Sequence, residues 1–147
     1  MKMEEIEEAW SNDCGMDDTE LDMESIKIPQ LHNKYLKIYN RENILLRKMK
    51  YSHKQLERDK FEYYSGKMDQ SELEDRDWKQ FDHRLLKQDV PRYMESDVDL
   101  INVLIKLDQQ QSKVDYLKAI ISSINNRSFN INNAIKWRQF INGIGQL

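Results

Sequence analysis

A single cysteine, Cys14, leaves this chain of 147 residues without a partner for an internal disulfide. No apolar run approaches the ~20 residues that span a bilayer. The N-terminus lacks the basic, apolar and small-residue order of a signal peptide, so the sequence predicts a soluble, cytosolic protein with no membrane partner. Glycine and proline are scarce, at four and two, which disfavours a turn-rich all-β fold and favours long helices. Catalytic and ligand motifs are missing as well. His32, His53 and His83 are scattered, with no Cys-x-x-Cys or His-x-x-x-His spacing to bind a metal. Gly143 and Gly145 precede no helix, and no Gly-x-x-x-x-Gly-Lys loop is present to cradle phosphates. Acid pairs such as Asp17-Asp18 and Glu74-Asp75 read as solvated charges. No cofactor, no metal and no enzymatic activity are expected; the sequence describes a binding protein.

What is present is charge, at 33% of residues against 39% hydrophobic, with a mean hydropathy of -0.87. The core is thin for one modest domain or a small core with arms. The net charge of -3 hides a segregated pattern. Residues 1–33 hold two basic and ten acidic groups, and residues 34–67 hold ten and four. Residues 68–100 hold five and ten, and residues 101–147 hold six and two. A basic surface flanked by acidic segments follows. The acidic segments either compete with nucleic acid or recruit a basic partner.

Periodicity predicts a mostly α protein, its long amphipathic helices packed as a helical hairpin or bundle. Between Gln30 and Ser65 there is no Gly or Pro. Positions 28, 31, 35, 38, 42, 45, 49, 52, 56, 59 and 63 follow alternating three- and four-residue steps, and eight of the eleven are apolar or aromatic. Gly66 is a natural stop. Leu100, Val103, Leu107, Gln110, Val114, Leu117, Ile121 and Ile124 form a second seam with one polar member, able to fix register. Upstream, a short acidic helix places Ile6 and Trp10 on one side, as an arm that either docks on its own chain or binds a partner. Thr19 and Asp22 suggest the start of a second short helix, which Pro29 ends or passes on to the next. Between the two seams, Ser71 and Glu74 fit a capping box, with Trp78, Phe81 and Leu85 along one helix side. Asp89-Val90-Pro91 reads as a turn and Arg92-Tyr93-Met94 as a short extended piece. After a break at 125–128, a last helix over about 130–144 places Ile131, Ala134, Ile135, Trp137, Arg138, Ile141 and Ile144 on or near one face, with Phe140 close by and Phe129 just before it. Its apolar surface either serves self-association or packs into the monomer. Three parts result: an acidic N-terminal arm over 1–28, a basic helix with an acidic connector over 29–97, and a helical assembly part over 98–147.

The outward stripe of the first long helix carries Arg47, Lys50, Tyr51, Lys54, Arg58, Phe61 and Tyr64 at three- and four-residue spacing. Its cations can neutralise phosphates and its rings can stack unpaired bases, which favours single strands over duplex. The plain alternative is a solvated face, or one that meets an acidic protein. Lys60 lies about 200° around from Arg58 at roughly 100° per residue, so on a continuous helix the two cannot share one face: either Lys60 snorkels round an edge, or the helix loosens before Tyr63-Tyr64-Ser65-Gly66.

Residues Arg58–Lys67 read RDKFEYYSGK. This resembles the signature of the UvsY family of T-even-type phage recombination mediators: two basic residues one apart, then Asp-Tyr-Tyr-Ser-Gly and a further basic residue. Arg58, Lys60, Tyr63, Tyr64, Ser65, Gly66 and Lys67 match, with Glu62 in place of the Asp. Arg127, Phe129, Ile131, Arg138 and Phe140 fall at the family's spacing in the segment that resembles its oligomerisation region. The resemblance implies a non-enzymatic mediator in the cytoplasm of the infected bacterial host. It implies binding to single-stranded DNA, to the phage recombinase and to the single-strand-binding protein, and a ring-like homo-oligomer. Arg58 and Lys60 become the first strand-binding candidates, with Arg47, Lys50, Lys54, Tyr64 and Lys67 around them. The alternatives are a helical scaffold or an RNA-binding oligomer. Asp59 departs from the family pattern, which has a small neutral residue there. An acid at that place partly offsets the local field, so strand binding is either weakened or centred nearer Arg47, Lys50 and Lys54.

Overall fold

The structure, a computed structural model, describes residues 1–143. Six helices follow one another: α1 Met3–Asp13, α2 Leu21–Tyr64, α3 Gln70–Asp75, α4 Val90–Glu95, α5 Val98–Asn125 and α6 Arg127–Ile141. No strand occurs among the described residues, so the mostly α expectation holds. Nor is any helix among them long and apolar enough to cross a membrane. Two compact units form, one from residues 1–44 together with those from 112 onward, the other from residues 45–111.

The first unit is built around Ile6, Tyr35, Leu117, Ile120 and Ile124, with Trp10, Ile28, Leu31 and Ile38 packed against them. Here α1 is docked: Ile6 is fully buried and Trp10 meets the Tyr35 ring edge-on at 5.4 Å. Arg127, buried at the start of α6, donates from Nη2 to the Asp13 carbonyl at 2.6 Å and lies 3.7 Å from Glu24. It thereby joins the end of α1, the start of α2 and α6. Across this unit α2 and α5 run antiparallel, with Lys113 Nζ 3.3 Å from the buried Glu42.

The second unit buries Leu46, Leu73, Val90, Leu100 and Leu107. Its α2 and α5 segments are also antiparallel: Lys50 Nζ reaches Gln111 Oε1 at 3.3 Å and Lys60 Nζ reaches Asp99 Oδ2 at 2.8 Å. All eight members of the α5 seam, from Leu100 to Ile124, are buried or half-buried, including Gln110.

The α2 seam follows the heptad reading as far as Glu42; beyond it Met49 and Leu56 stay covered, while the alternate positions move on by one residue. Leu45 is 44% exposed and Leu46 only 3%. Ser52 is exposed while His53 is half-buried, and Lys60 is buried where Asp59 was expected. One covered stripe runs through 24, 28, 31, 35, 38, 42, 46, 49, 53, 56 and 60, ten steps over 36 residues. That is the period of a straight α-helix, whereas a strict heptad drifts ~20° per seven residues. Over five heptads the drift reaches about one residue position.

Several boundaries also differ from the sequence reading. Pro29 lies inside α2 rather than between two helices, and Asp17, not a helix end, takes the Thr19 hydroxyl at 2.6 Å. The capping box of α3 is Asp69 with Glu72, two residues earlier than expected. Trp78, Phe81 and Leu85 lie on no helix, because α3 stops at once: Asp77 takes φ 54°, and the Trp78 and Asp77 N–H groups return to Leu73 and Glu74 at 2.9 and 3.1 Å. Residues 92–94 are helical rather than extended, since Pro91 occupies the first turn of α4, where no N–H is needed. The last helix begins at Arg127, three residues early, and Ile144 falls outside the described residues.

Candidate nucleic-acid interface

The candidate interface lies on the last turns of α2. Without Gly or Pro after position 29, the helix holds Arg47, Lys50, Tyr51, Lys54 and Arg58 on one exposed face. Arg47 and Lys54 meet no carboxylate at salt-bridge distance among the described residues. The Arg58 side chain is 79% exposed and lies 3.5 Å from Glu62 one turn on. Tyr51 is the exposed ring on this face. Lys67 lies just beyond the helix, exposed, with its ammonium 6.0 Å from the Phe61 ring centre.

Tyr-Tyr-Ser-Gly-Lys ends the helix. Gly66 takes φ +73°, a left-handed conformation that favours glycine. The N–H groups of Gly66 and Lys67 then bond back to the Tyr63 and Glu62 carbonyls at 3.2 and 3.0 Å, satisfying the last turn. This stop turns the chain so that residues 67–99 fold onto the final turns of α2.

Lys60 faces that returning segment, not the exposed stripe. It is only 4% exposed. Its ammonium lies 3.1 Å from Asp97 Oδ2 and 2.8 Å from Asp99 Oδ2, with the Trp78 ring centre 4.0 Å away. Asp97 is also the cap of α5, accepting the Leu100 N–H at 3.0 Å, and it takes the Tyr64 hydroxyl at 2.7 Å. Burial pulls the Asp97 carboxyl upward, but the hydrogen bonds from Tyr64 and Leu100 and the Lys60 charge outweigh it and hold it below the ordinary carboxylate range. Burial first, then the bond to Asp97, pushes the Tyr64 phenol well above its usual value. Tyr64 is thus half-buried in a cluster with Tyr63, Phe81 and Tyr93, at centre distances of 5.0 to 6.0 Å. Asp59 is neutralised by Arg76, at 3.2 Å.

Of the sequence-predicted strand residues, the fold therefore brings Arg47, Lys50, Lys54 and Arg58 together in the open. Lys67 stands apart beyond the stop, and Lys60 and Tyr64 are turned inward. Trp78, Asp97, Asp99 and Arg76 were missed as partners of this motif. The one available signal was Asp97 immediately before a clean seam, the position of a helix cap.

On α6, Phe129, Trp137, Phe140 and Ile141 are each more than 60% exposed, Ile135 less so, and Ile131 is buried. Trp137 and Phe140 stack at 5.8 Å. No group of three or more His, Cys, Asp or Glu able to hold a metal occurs among the described residues.

Two crystal structures of the bacteriophage T4 recombination mediator protein UvsY, from lattice types IV and II, share this fold, each with a TM-score of 0.81. They are 21% and 22% identical to this chain, cover 95% of it, and are themselves covered over 99% and 97% of their length. No curated protein sequence gives a significant match. The profile of the family described as "recombination, repair and ssDNA binding protein UvsY" matches residues 9–144. With nearly the whole chain matched in sequence and the fold shared, the protein belongs to the UvsY family.

Proposed function

We propose that this chain is a recombination mediator that binds single-stranded DNA along the exposed face of α2 and assembles through α6. It helps a phage recombinase load onto strands covered by single-strand-binding protein, in the cytoplasm of the infected host. The observation that carries the reading is the alignment of Arg47, Lys50, Lys54 and Arg58 on one solvent face, in a chain of a single-strand-binding family. Cations in that arrangement neutralise successive phosphates, and Tyr51 offers a stacking surface among them. Self-assembly multiplies a weak site, because several copies acting on one strand raise the effective concentration. The exposed, stacked Trp137 and Phe140 support that step.

The test is recombinase filament growth on strands already coated with single-strand-binding protein. Adding the full chain shortens the lag; an unchanged lag counts against the mediator. Removing residues 129–147 yields smaller species by light scattering and weaker strand binding at equal protein concentration. A scaffold remains the second reading, favoured by the apolar face of α6 alone. Competition among single-stranded DNA, duplex DNA and RNA at fixed salt separates it from the first, since a scaffold prefers none of them.

A further inference from the structure

Beside the exposed cations, the second unit contains a groove of ≈ 720 Å³, within the range of clefts that hold small molecules. Its apolar walls come from three helices: Phe61 of α2, Met94 of α4, and Leu100, Ile101 and Leu104 of α5. Lys54 and Arg58 line the same groove, so the cationic face opens directly into it. Ile101 and Leu104 are 39% and 45% exposed; the chain leaves apolar wall uncovered next to positive charge.

We propose that this groove receives an unpaired base of a single strand whose phosphates track Arg47, Lys50, Lys54 and Arg58. The inference rests on the single-strand reading above and gives that strand a second, uncharged contact. Charge decides which part of the strand enters. Glu57 and Glu95 also line the groove and repel a phosphate from it, while a neutral base meets no such penalty. Phe61, three residues after Arg58 and seven after Lys54, is a half-buried ring one turn from the first cation and two from the second. A base turned off the phosphate track meets its face or edge, with Ile101 and Leu104 opposite. A partner helix would need an apolar face free of the anionic rim's repulsion, and it would leave the adjoining stripe Arg47–Lys50 unanswered.

The experiment compares two probes on the full chain by fluorescence anisotropy: an oligothymidine strand, and an abasic strand of equal length and charge. The base-bearing strand binds about tenfold more tightly. Phe61→Ala and, independently, Leu104→Gln bring the two strands to within about twofold of each other, leaving abasic affinity and its salt dependence unchanged. Leu104→Gln is uncharged, exposed and helix-compatible, so the measurement survives if Phe61→Ala disturbs the fold; circular dichroism reports that. Equal wild-type binding of both strands overturns the groove and leaves the single-strand reading intact. Binding to neither overturns both. A base preference that survives both substitutions assigns the stacking to Tyr51 and overturns the groove. So does equal weakening of both strands, or a changed assembly size with the preference retained.

Discussion

Two faces of the last turns of α2 carry cations that are alike in sequence and opposite in use. On the outer face Arg58 is 79% exposed, held only by a neighbour on its own helix. On the inner face Lys60 is enclosed by Trp78 and, nearly forty residues further on, by Asp97 and Asp99. Salt-bridge strength follows enclosure. An exposed pair contributes ~0–1 kcal/mol, whereas removing one partner of a buried pair costs ~3–5 kcal/mol because the other is left charged and dry. The outer face is therefore free to meet a ligand and the inner face is committed to the fold. A motif of two basic residues one apart encodes one surface group and one clasp.

The sharpest way to break this comparison is to remove each cation separately. Lys60→Ala lowers unfolding stability by about 3 kcal/mol in a urea titration, and Arg58→Ala changes it by less than about 0.5 kcal/mol. Equal losses would erase the distinction. On the binding side the order reverses. Lys54→Ala with Arg58→Ala weakens single-strand affinity about tenfold and lowers the slope of log affinity against log salt by about 1.4, two contacts at ~0.7 each. Stability stays near wild type, and an unchanged slope would place the phosphates elsewhere. A smaller effect sharpens the role of the helix stop. Gly66→Ala costs about 1 kcal/mol, because a Cβ is strained at φ +73° even with open space around it; strand affinity, read in the same titration, is retained.

The smallest effect is in pH. Asp97 is held below the ordinary carboxylate range when folded, so its contribution is complete above about pH 4 and is lost as the pH falls through its lowered value. Tyr64 is shifted the other way. Its contribution is complete below about pH 10 and fades only as the pH rises through the raised value. Asp97→Asn flattens the acid limb of the stability profile, followed by circular dichroism, and leaves the stability of Arg58→Ala relative to its parent unchanged.

Much of this was legible in residues alone. The α5 seam from Leu100 to Ile124 is periodic enough to be read directly, and Gly66 announces the end of α2. The turning of Lys60 away from Arg58 follows from 100° per residue. What that angle could not give is its destination. The covered stripe of α2 drifts by one position between Glu42 and Leu46, because a straight helix repeats at 3.6 residues and the eye reads a heptad. Leu45 and Leu46 are both leucine, so side-chain type could not mark the change. The fold of residues 76–89 was not legible either. It is held by contacts distant in sequence, such as Arg76 with Asp59 and the Tyr63 hydroxyl with the Lys79 carbonyl at 2.6 Å, and no local periodicity records them. Asp77 at positive φ hid the end of α3, since a glycine is the usual sign.

The two units differ in how the chain closes them, and this sets an order in time. Residues 45–111 are one uninterrupted stretch, while the first unit needs both the beginning of the chain and everything after 112. Protein synthesis delivers residues from the N-terminus at ~5–20 per second, and compact units fold as their residues become available. The residues of the basic face, its clasp and the groove thus become available before α1 meets the end of α5 and Arg127. A nascent chain of this protein offers every residue of its candidate strand-binding surface before it offers α6, the helix with the exposed rings.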